Sequence, residues 1–159
     1  MQDKKLPGRI FTSSKRFGPI STGHRQWRHE GHCAFVHGYG RIVEITFGSK
    51  SLDNRGWVVD FGSLKWVKSF LESEWDHRLL LAHDDPELEI FKELDDLGIV
   101  DINILPEEYG PGIEHSAKYV FDCVDKELKK ITLDRCFVES VKVYEHENNW
   151  AEVKRGDYA

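Results

Sequence analysis

A histidine-rich segment that runs directly into a strand-like run, together residues 20–47, constrains the fold of this chain more than any other feature. Residues 41–47 are rich in β-branched side chains, which favour a pleated strand. Four histidines and one cysteine precede or open this run: His24, His29, His32, His37 and Cys33. Imidazole and thiol groups gathered beside a strand are typical of a metal or nucleophile site, and the alternative is a group of surface histidines.

Composition narrows the class of protein. The length of 159 residues suits a single domain, because domains commonly have ~100–200 residues. A net charge of −6 argues against bulk binding of nucleic acid or of an anionic membrane. Three scattered cysteines imply no disulfide framework and fit a reducing compartment. With no apolar signal core and no stretch of ~18 apolar residues, the sequence predicts a soluble, cytoplasmic protein.

Hydrophobic periodicity and turn residues predict the order of strands and helices. The predicted strands are residues 9–17, 34–47, 57–59, 100–105 and 136–146, and the predicted helices are residues 61–74, 86–97 and 114–128. Asp60 is a suitable N-cap for the first helix, and Gly98 is a suitable C′ residue for the second. Residues 18–33 are expected to be mostly loop, and residues 1–8 a loose terminus.

This order predicts one domain over residues 1–159, of the α+β class, with helices laid on an antiparallel sheet. A small open sheet leaves strand edges that must be covered or paired. Pairing of edges between subunits is one solution.

Cys33 is the centre of the first group of candidate chemical residues. In a strand, Cys33, His37 and Tyr39 would point to one face because their spacing is even, and His24 would meet them from a neighbouring strand. A zinc site needs three or four such donors, with one position left open in a catalytic site. A thiolate beside a metal-bound substrate is a competent general base, whereas the alternative for Cys33 alone is a buried structural thiol.

Two further candidates are the Asp76-His77 pair and Glu145. The pair follows an amphipathic helix, and in a partly buried bend the carboxylate would set the tautomer of the imidazole for proton transfer; the alternative is a surface dipeptide. Glu145 shares a predicted strand face with Val141 and Val143, so its burial would require a partner, for example an N–C–N edge with two parallel donors. The alternative is a glutamate at the rim of a strand end.

These three groups, in this order, resemble the family of 6-pyruvoyltetrahydropterin synthase and 6-carboxytetrahydropterin synthase over residues 20–150. Six segments carry the resemblance: residues 21–25, 33–39, 56–61, 76–77, 111–114 and 141–145. It implies a tunnelling fold, in which a four-stranded antiparallel sheet carries two to three helices on one face. It also implies that subunits close into a barrel as trimers, that two trimers stack into a hexamer, and that active sites lie between subunits.

The resemblance implies a role for each matching residue near the cysteine. His24 and His37 match ligands of a zinc ion, and Cys33 matches the general base. Asp76 and His77 match a proton relay that completes the catalytic group.

The implied substrate is 7,8-dihydroneopterin triphosphate. Glu145 matches the anchor of the pterin ring, whose N–C–N edge supplies two donors, and Glu114 matches a second glutamate near the pterin pocket. A triphosphate needs a local basic patch in an acidic protein. The candidate members of that patch are Arg25, Arg28, Lys15 and Arg16.

Three departures from the family pattern stand out. His37-Gly38-Tyr39 replaces His-Gly-His, so a phenol stands where the third zinc ligand is expected, and the candidates for that place are Tyr39 as phenolate, His32 or His29. Gly112 stands where threonine usually precedes the glutamate. Residues 86–105 form a predicted insertion.

The expected activity is therefore that of a 6-carboxytetrahydropterin synthase in the synthesis of 7-deazaguanine, a queuosine precursor. The alternatives are the pyruvoyl-forming reaction of the same family and, because of Tyr39, a non-catalytic pterin-binding paralogue. The expected partners are the small-molecule substrate and further copies of the chain, with no nucleic acid or membrane.

Overall fold

The computed structural model of the protein describes Gly8 and residues 10–158. The strands and α-helices of this part follow in the order β1 (Phe11–His24), β2 (His37–Ser49), α1 (Lys65–Trp75), β3 (Arg78–Leu81), α2 (Leu88–Asp96), β4 (Ile102–Ile104), α3 (Ile113–Ile131), β5 (Cys136–His146) and β6 (Asn149–Lys154). The α+β class is confirmed. Except for Gly8, the predicted loose terminus lies outside the described residues, as does the first residue of the predicted strand 9–17.

All of these strands form one six-stranded sheet in the order β4-β3-β1-β2-β5-β6. β1, β2, β5 and β6 pair antiparallel, whereas β3 pairs parallel with β1 and with β4. The prediction of a four-stranded antiparallel sheet is therefore wrong in two respects. The sheet has six strands, and β3 pairs parallel with both of its neighbours. The apolar run of β3 has only a few residues, so its hydrophobic pattern cannot distinguish a strand from a segment that leaves the preceding helix. β6 pairs with β5 in a hairpin, and its mixed sequence alone does not predict a strand.

Helices cover both faces of the sheet. α1 and α3 pack on the face where alternate residues of β2 form the main core with β5. α2 packs on the opposite face, because Leu79 and Leu81 contact its Phe91 while Leu80 belongs to the main core. The prediction that all helices share one face is wrong for α2. The segment predicted to be an insertion, residues 86–105, forms α2 and β4.

β1 continues through a segment whose glycine and proline predicted a loop. Its register with β2 shifts between Phe17 and Ile20, so the strand accommodates Gly18 and Pro19 as an irregularity rather than ending there. Gly18 has a φ of 110°, and a Cβ at this position would lie 2.6 Å from the backbone oxygen of Arg41. β1 therefore extends to His24, seven residues beyond the predicted end.

Local side-chain bonds explain how the chain enters α1. The Asp53 carboxylate accepts from the backbone amides of Arg55 and Trp57, both at 2.9 Å, and stabilises the turn that precedes Trp57. Residues 57–59 that follow are irregular, so the strand predicted there is wrong. Asp60 caps a 3-10 turn, Phe61–Leu64, by accepting from the Gly62 amide at 2.8 Å, as its predicted N-cap role requires. No helix in the described part of the chain is long and apolar enough to cross a bilayer.

Candidate active site

His24 and His37 meet because the register of β1 and β2 places them directly opposite each other. Their ring centroids are 4.4 Å apart, and the Tyr39 ring lies 5.8 Å from His24 and 5.5 Å from His37. The expectation that His24 reaches the other donors from a neighbouring strand is thus met by the antiparallel pairing. Tyr39 shares their face because it lies two residues after His37 in β2.

Burial acts on the pKa of His24, and a backbone contact orients the ring of His37. It lowers the pKa of His24 to about 3, with further lowering by the charges of Arg41 and His37, so His24 is neutral near pH 7. Its Nδ1 is buried and has no hydrogen-bond partner among the residues that the structure describes. His37 Nδ1 lies 2.7 Å from the Phe35 carbonyl oxygen, an arrangement that leaves Nε2 as its free nitrogen.

Arg41 follows Tyr39 on the same face of β2 and is fully buried. Its guanidinium donates to Ser116 Oγ at 2.9 Å and to the Pro111 carbonyl oxygen at 2.8 Å. Burial lowers the pKa of Arg41 to about 10, which still leaves it charged near neutral pH. The inward parity of Arg41 with Val43, Ile45 and Phe47 in β2 is a sequence signal for this buried charge, which was not predicted. We call His24, His37, Tyr39 and Arg41 the histidine end of the site.

The predicted zinc ion finds two suitable donors at the histidine end. The neutral His24 ring with its unpaired buried nitrogen and the free Nε2 of His37 both fit a metal. Tyr39 is the third side chain beside them, and burial and the negative charges of Glu145 and Cys33 raise the pKa of its phenol, so it is a weaker donor than an imidazole. Within the described residues, no group of three His, Cys, Asp or Glu side chains is placed to hold a metal.

The two substitute ligands considered for the third position lie apart from that pair. The His29 ring accepts from the Gly31 amide at 2.9 Å and lines the cavity described next. His32 is exposed in a 3-10 turn and does not line it. The structure therefore brings together two imidazole donors that would hold a zinc ion, and the weaker phenol of Tyr39 lies beside them at the third position.

A cavity of about 780 Å³ opens beside the histidine pair. Its lining consists of His24, Gln26, Arg28, His29, Cys33, His37, Gly112, Ile113, Glu114, Glu145, Asn148, Asn149 and Trp150. Cys33 reaches it from a 3-10 turn, His32–Ala34, and not from a strand, so the parity argument was wrong for this residue. The Gln26 amide donates to the Cys33 carbonyl oxygen at 2.9 Å and closes the loop that carries the thiol.

Glu145 and Glu114 line the same cavity from different elements. Glu145 projects from β5 and is half-buried, whereas Glu114 lies in the first turn of α3 and is exposed. Neither carboxylate makes a hydrogen bond or an ion pair with any residue that the structure describes. We call these two residues the glutamate end of the site.

The Asp76-His77 pair lies outside this cavity in its own chain. Asp76 ends α1, and its Oδ1 is 3.1 Å from His77 Nδ1. The side chains are 42% and 82% exposed, so the expected partly buried bend is wrong. His77 has a φ of 57°, a left-handed conformation that is uncommon for residues other than glycine.

The basic residues proposed for a triphosphate patch are scattered. Arg28 lines the cavity while pairing with Asp84 at 2.6 Å. Arg25 lies elsewhere, with its Nε 2.8 Å from the fully buried carboxylate of Asp85 and its guanidinium over the ring of Phe91. The predicted role of Arg25 in substrate binding therefore gains no support from its position.

Lys15 and Arg16 are also distant from the cavity. Lys15 lies over the rings of Phe17 and Phe61, and Arg16 pairs with Glu44 at 2.6 Å. Neither lines the cavity. In contrast, the hairpin between β5 and β6 adds Asn148, Asn149 and Trp150 to the lining. These residues were not predicted to belong to the site, because β6 itself was not predicted.

Comparison with known proteins agrees with this arrangement. The family model of 6-pyruvoyl tetrahydropterin synthase matches residues 14–156. The chain belongs to the 6-pyruvoyl tetrahydropterin synthase family. The resemblance seen in the sequence motifs is confirmed by this match, which spans β1 to β6 and both ends of the site.

Relatives and solved structures of the family cover nearly the whole chain. A 6-carboxy-5,6,7,8-tetrahydropterin synthase of Rickettsia typhi is 32% identical over 136 residues, 84% of this chain and 94% of the relative. A protein of the same name from Aquifex aeolicus is 28% identical over 153 residues, 85% of this chain and 93% of the relative.

The structural neighbours support the fold. The crystal structure of a Wolinella succinogenes protein aligns with a TM-score of 0.79 at 22% identity, covering 92% of this chain and 99% of that one. A catalytic-residue mutant of Plasmodium vivax 6-pyruvoyltetrahydropterin synthase aligns with a TM-score of 0.66 at 18% identity, covering 92% and 98%.

Proposed function

We propose that the protein is a lyase of the 6-carboxytetrahydropterin synthase type, which converts 7,8-dihydroneopterin triphosphate in the synthesis of the queuosine precursor 7-deazaguanine. One observation carries the proposal: a single cavity joins the Cys33 thiol and the His24 and His37 imidazoles to two carboxylates that make no hydrogen bond or ion pair with any described residue. The names of the Rickettsia typhi and Aquifex aeolicus relatives support the same activity.

The glutamate end supplies recognition of the pterin ring in this proposal. A carboxylate accepts two parallel N–H bonds from an N–C–N edge, and such charge-assisted bonds are roughly twice as strong as neutral ones. Half-burial makes Glu145 costly to leave without a partner, so a ligand with this edge stabilises it most. Glu145 is therefore the main anchor, and the exposed Glu114 is the second.

Cys33 acts as the general base. Its thiolate takes a proton from the hydroxylated side chain of the substrate beside His24 and His37. The overall reaction consumes water and releases triphosphate and acetaldehyde, which leaves a 6-carboxy group on the ring. A zinc ion held by the two histidines would polarise the substrate hydroxyls. Arg28 is the one member of the predicted basic patch that lines the cavity.

Asp76 and His77 complete the proton transfers from a neighbouring subunit. They lie outside the cavity of their own chain, and the left-handed backbone at His77 is a conformation that residues retain mainly where surrounding structure or function requires it. Replacement of His77 by alanine should lower turnover at least about 100-fold, the usual contribution of a positioned proton-transfer group. Replacement of the exposed His83 by alanine is the matched control.

Subunits join through sheet edges in this proposal and form a trimer that stacks into a hexamer. β4 and β6 are the open edges of the sheet, and residues of β1 before Thr22 pair on one side only. Unpaired backbone groups of this kind favour pairing with another strand. Light scattering should give the mass of three or six chains, and a monomer of 18.5 kDa would contradict it.

A second candidate, a non-catalytic pterin-binding protein, is favoured by Tyr39 at the position of the missing zinc ligand. The purified protein should be incubated with 7,8-dihydroneopterin triphosphate, with and without added zinc, and the products identified by mass spectrometry. A 6-carboxy product with acetaldehyde supports the lyase, a 6-pyruvoyl product supports the alternative reaction, and pterin binding without turnover supports the second candidate.

Two variants assign the roles within that experiment. Cys33→Ala should abolish turnover, whereas Cys123→Ala, outside the cavity, should not. Metal analysis of Tyr39→His should find more bound zinc than in the unaltered protein. Unchanged occupancy would mean that position 39 is not the deficient ligand.

A further inference from the structure

We propose that Gln26 is a ligand-binding residue of the cavity, whose side-chain amide donates to the ring carbonyl oxygen of a pterin, and that Gly112 is the residue that makes room for it. The inference rests on the proposed function and deepens it, because it adds a specificity contact to the glutamate end.

The space above Gly112 is occupied by the Gln26 amide. A Cβ built on Gly112 would lie 2.4 Å from Gln26 Nε2 and 3.3 Å from Glu114 Oε2. A side chain at position 112 would therefore collide with the amide nitrogen, which lies at the end of a flexible side chain and can rotate away. The glycine thus permits a polar group from the 25–33 loop to border the carboxylate of Glu114.

The Gln26 amide is free to bind a ligand. It is half-buried, lines the cavity with Glu114 and Glu145, and makes no side-chain hydrogen bond within the part of the chain that the structure describes. An amide has two donors and one acceptor, and leaving them unsatisfied away from water costs free energy. A ligand that pairs with this amide offsets that cost.

The backbone of Gln26 holds the amide in place. Its N–H donates to the Cys33 carbonyl oxygen, and its carbonyl oxygen accepts from the His29 amide, both at 2.9 Å. Gln26 also lines an adjoining cavity of about 330 Å³ together with Gly112 and Glu114. It therefore stands in the wall between two openings, attached to the loop that carries Cys33.

The chemistry of the pterin edge explains why an amide is suited to this place. The N–C–N edge presents donors, which carboxylates accept, but the neighbouring ring carbonyl is an acceptor and is repelled by a carboxylate. A neutral N–H donor beside Glu114 bonds to that oxygen, whereas a third carboxylate at this place would repel it. The Gln26 amide, bordering the same carboxylate, supplies such a donor.

A double-mutant cycle on the intact protein tests the inference, with neopterin as the fluorescent probe. Gln26→Ala should weaken binding about five- to tenfold, the range of one neutral hydrogen bond. Gly112→Thr should weaken binding by a similar factor because it displaces the amide. The double variant should bind no worse than the weaker single variant, because both changes remove the same contact. Asn54→Ala, which removes an exposed amide outside the cavity, should bind like the unaltered protein.

A second ligand identifies the atom that is recognised. An analogue without the 4-oxo group should bind equally to the unaltered protein and to Gln26→Ala. Unchanged neopterin binding in Gln26→Ala, or losses that multiply in the double variant, would overturn the role of Gln26 alone. If the unaltered protein bound no neopterin at all, the proposed pterin site would fail together with it. Urea denaturation of each variant should give an unchanged midpoint, since the amide makes no contact that the fold requires.

Discussion

The histidine end and the glutamate end of the site differ in how deeply their side chains are packed into the protein: His24 and Arg41 are buried, whereas Glu145 is half-buried and Glu114 is exposed. At the histidine end, rings contact one another and a buried guanidinium is bonded to α3 and to the turn before it. At the glutamate end, both carboxylates line the cavity and make no hydrogen bond or ion pair within the part of the chain that the structure describes. Changes at the histidine end should therefore act mainly on stability, and changes at the glutamate end mainly on ligand binding.

Replacement of Arg41 should have the largest effect. Arg41→Met should lower the free energy of unfolding by about 3 kcal/mol, because two hydrogen bonds of a buried charged group disappear and Ser116 loses its donor. Urea denaturation measures this loss. Arg16→Met, which breaks an exposed ion pair on β1, should leave stability nearly unchanged. Equal stability of the two variants would show that the histidine end is not a structural unit.

Replacement of Glu145 should affect binding more than stability. Glu145→Gln should weaken neopterin binding about 30-fold, or ~2 kcal/mol, because a charge-assisted pair of bonds becomes neutral and one donor faces an amide N–H. The unfolding free energy should not fall. Glu147→Gln, two residues further along and outside the cavity, is the matched control. Binding that survives Glu145→Gln would move the anchor elsewhere.

The titration of His24 provides a pH test of the histidine end in metal-free protein. Its folded-state pKa of about 3 lies below the value near 6.5 in the unfolded chain, so the unfolded chain binds more protons between these values. The contribution of His24 to the free energy of unfolding is fully present above pH 6.5 and is lost as the pH drops towards 3. Between pH 6.5 and 5 the loss should be about 1–2 kcal/mol.

Denaturation at each pH, in the presence of a chelator, measures that slope. The slope should flatten in His24→Gln and should be retained in His83→Gln, because His83 is exposed. An unchanged slope in His24→Gln would show that the histidine end is open to water in solution.

Glu114 should have the smallest effect. Because it is exposed, Glu114→Gln should weaken neopterin binding only about threefold, consistent with solvent screening of its charge. Glu107→Gln, which lines only the adjoining cavity, should have no effect on this binding. A loss as large as that of Glu145→Gln would make Glu114 an equal anchor and remove the distinction within the glutamate end.

Much of the site could be read from residue types and their spacing. The even spacing of His37 and Tyr39 places them on one face, and the parity of Glu145 with Val143 predicts that it faces inward. Parity failed at Cys33, because the residues before β2 form a 3-10 turn. The turn still brings the thiol to the cavity, because the Gln26 amide donates a hydrogen bond to the Cys33 carbonyl oxygen. No local sequence pattern predicts this bond.

The sequence by itself determined the α+β class, the helices, the strand at residues 136–146 and the family motifs, because these depend on periodicity and composition within short windows. Only the tertiary structure decided which residues share the cavity. Register and strand order are long-range properties. They determine that α2 packs on the sheet face opposite α1 and α3, and that Arg25 forms an ion pair with Asp85. They also brought the buried Arg41 to Ser116 and to the Pro111 carbonyl oxygen, and left Asp76 outside the cavity of its own chain.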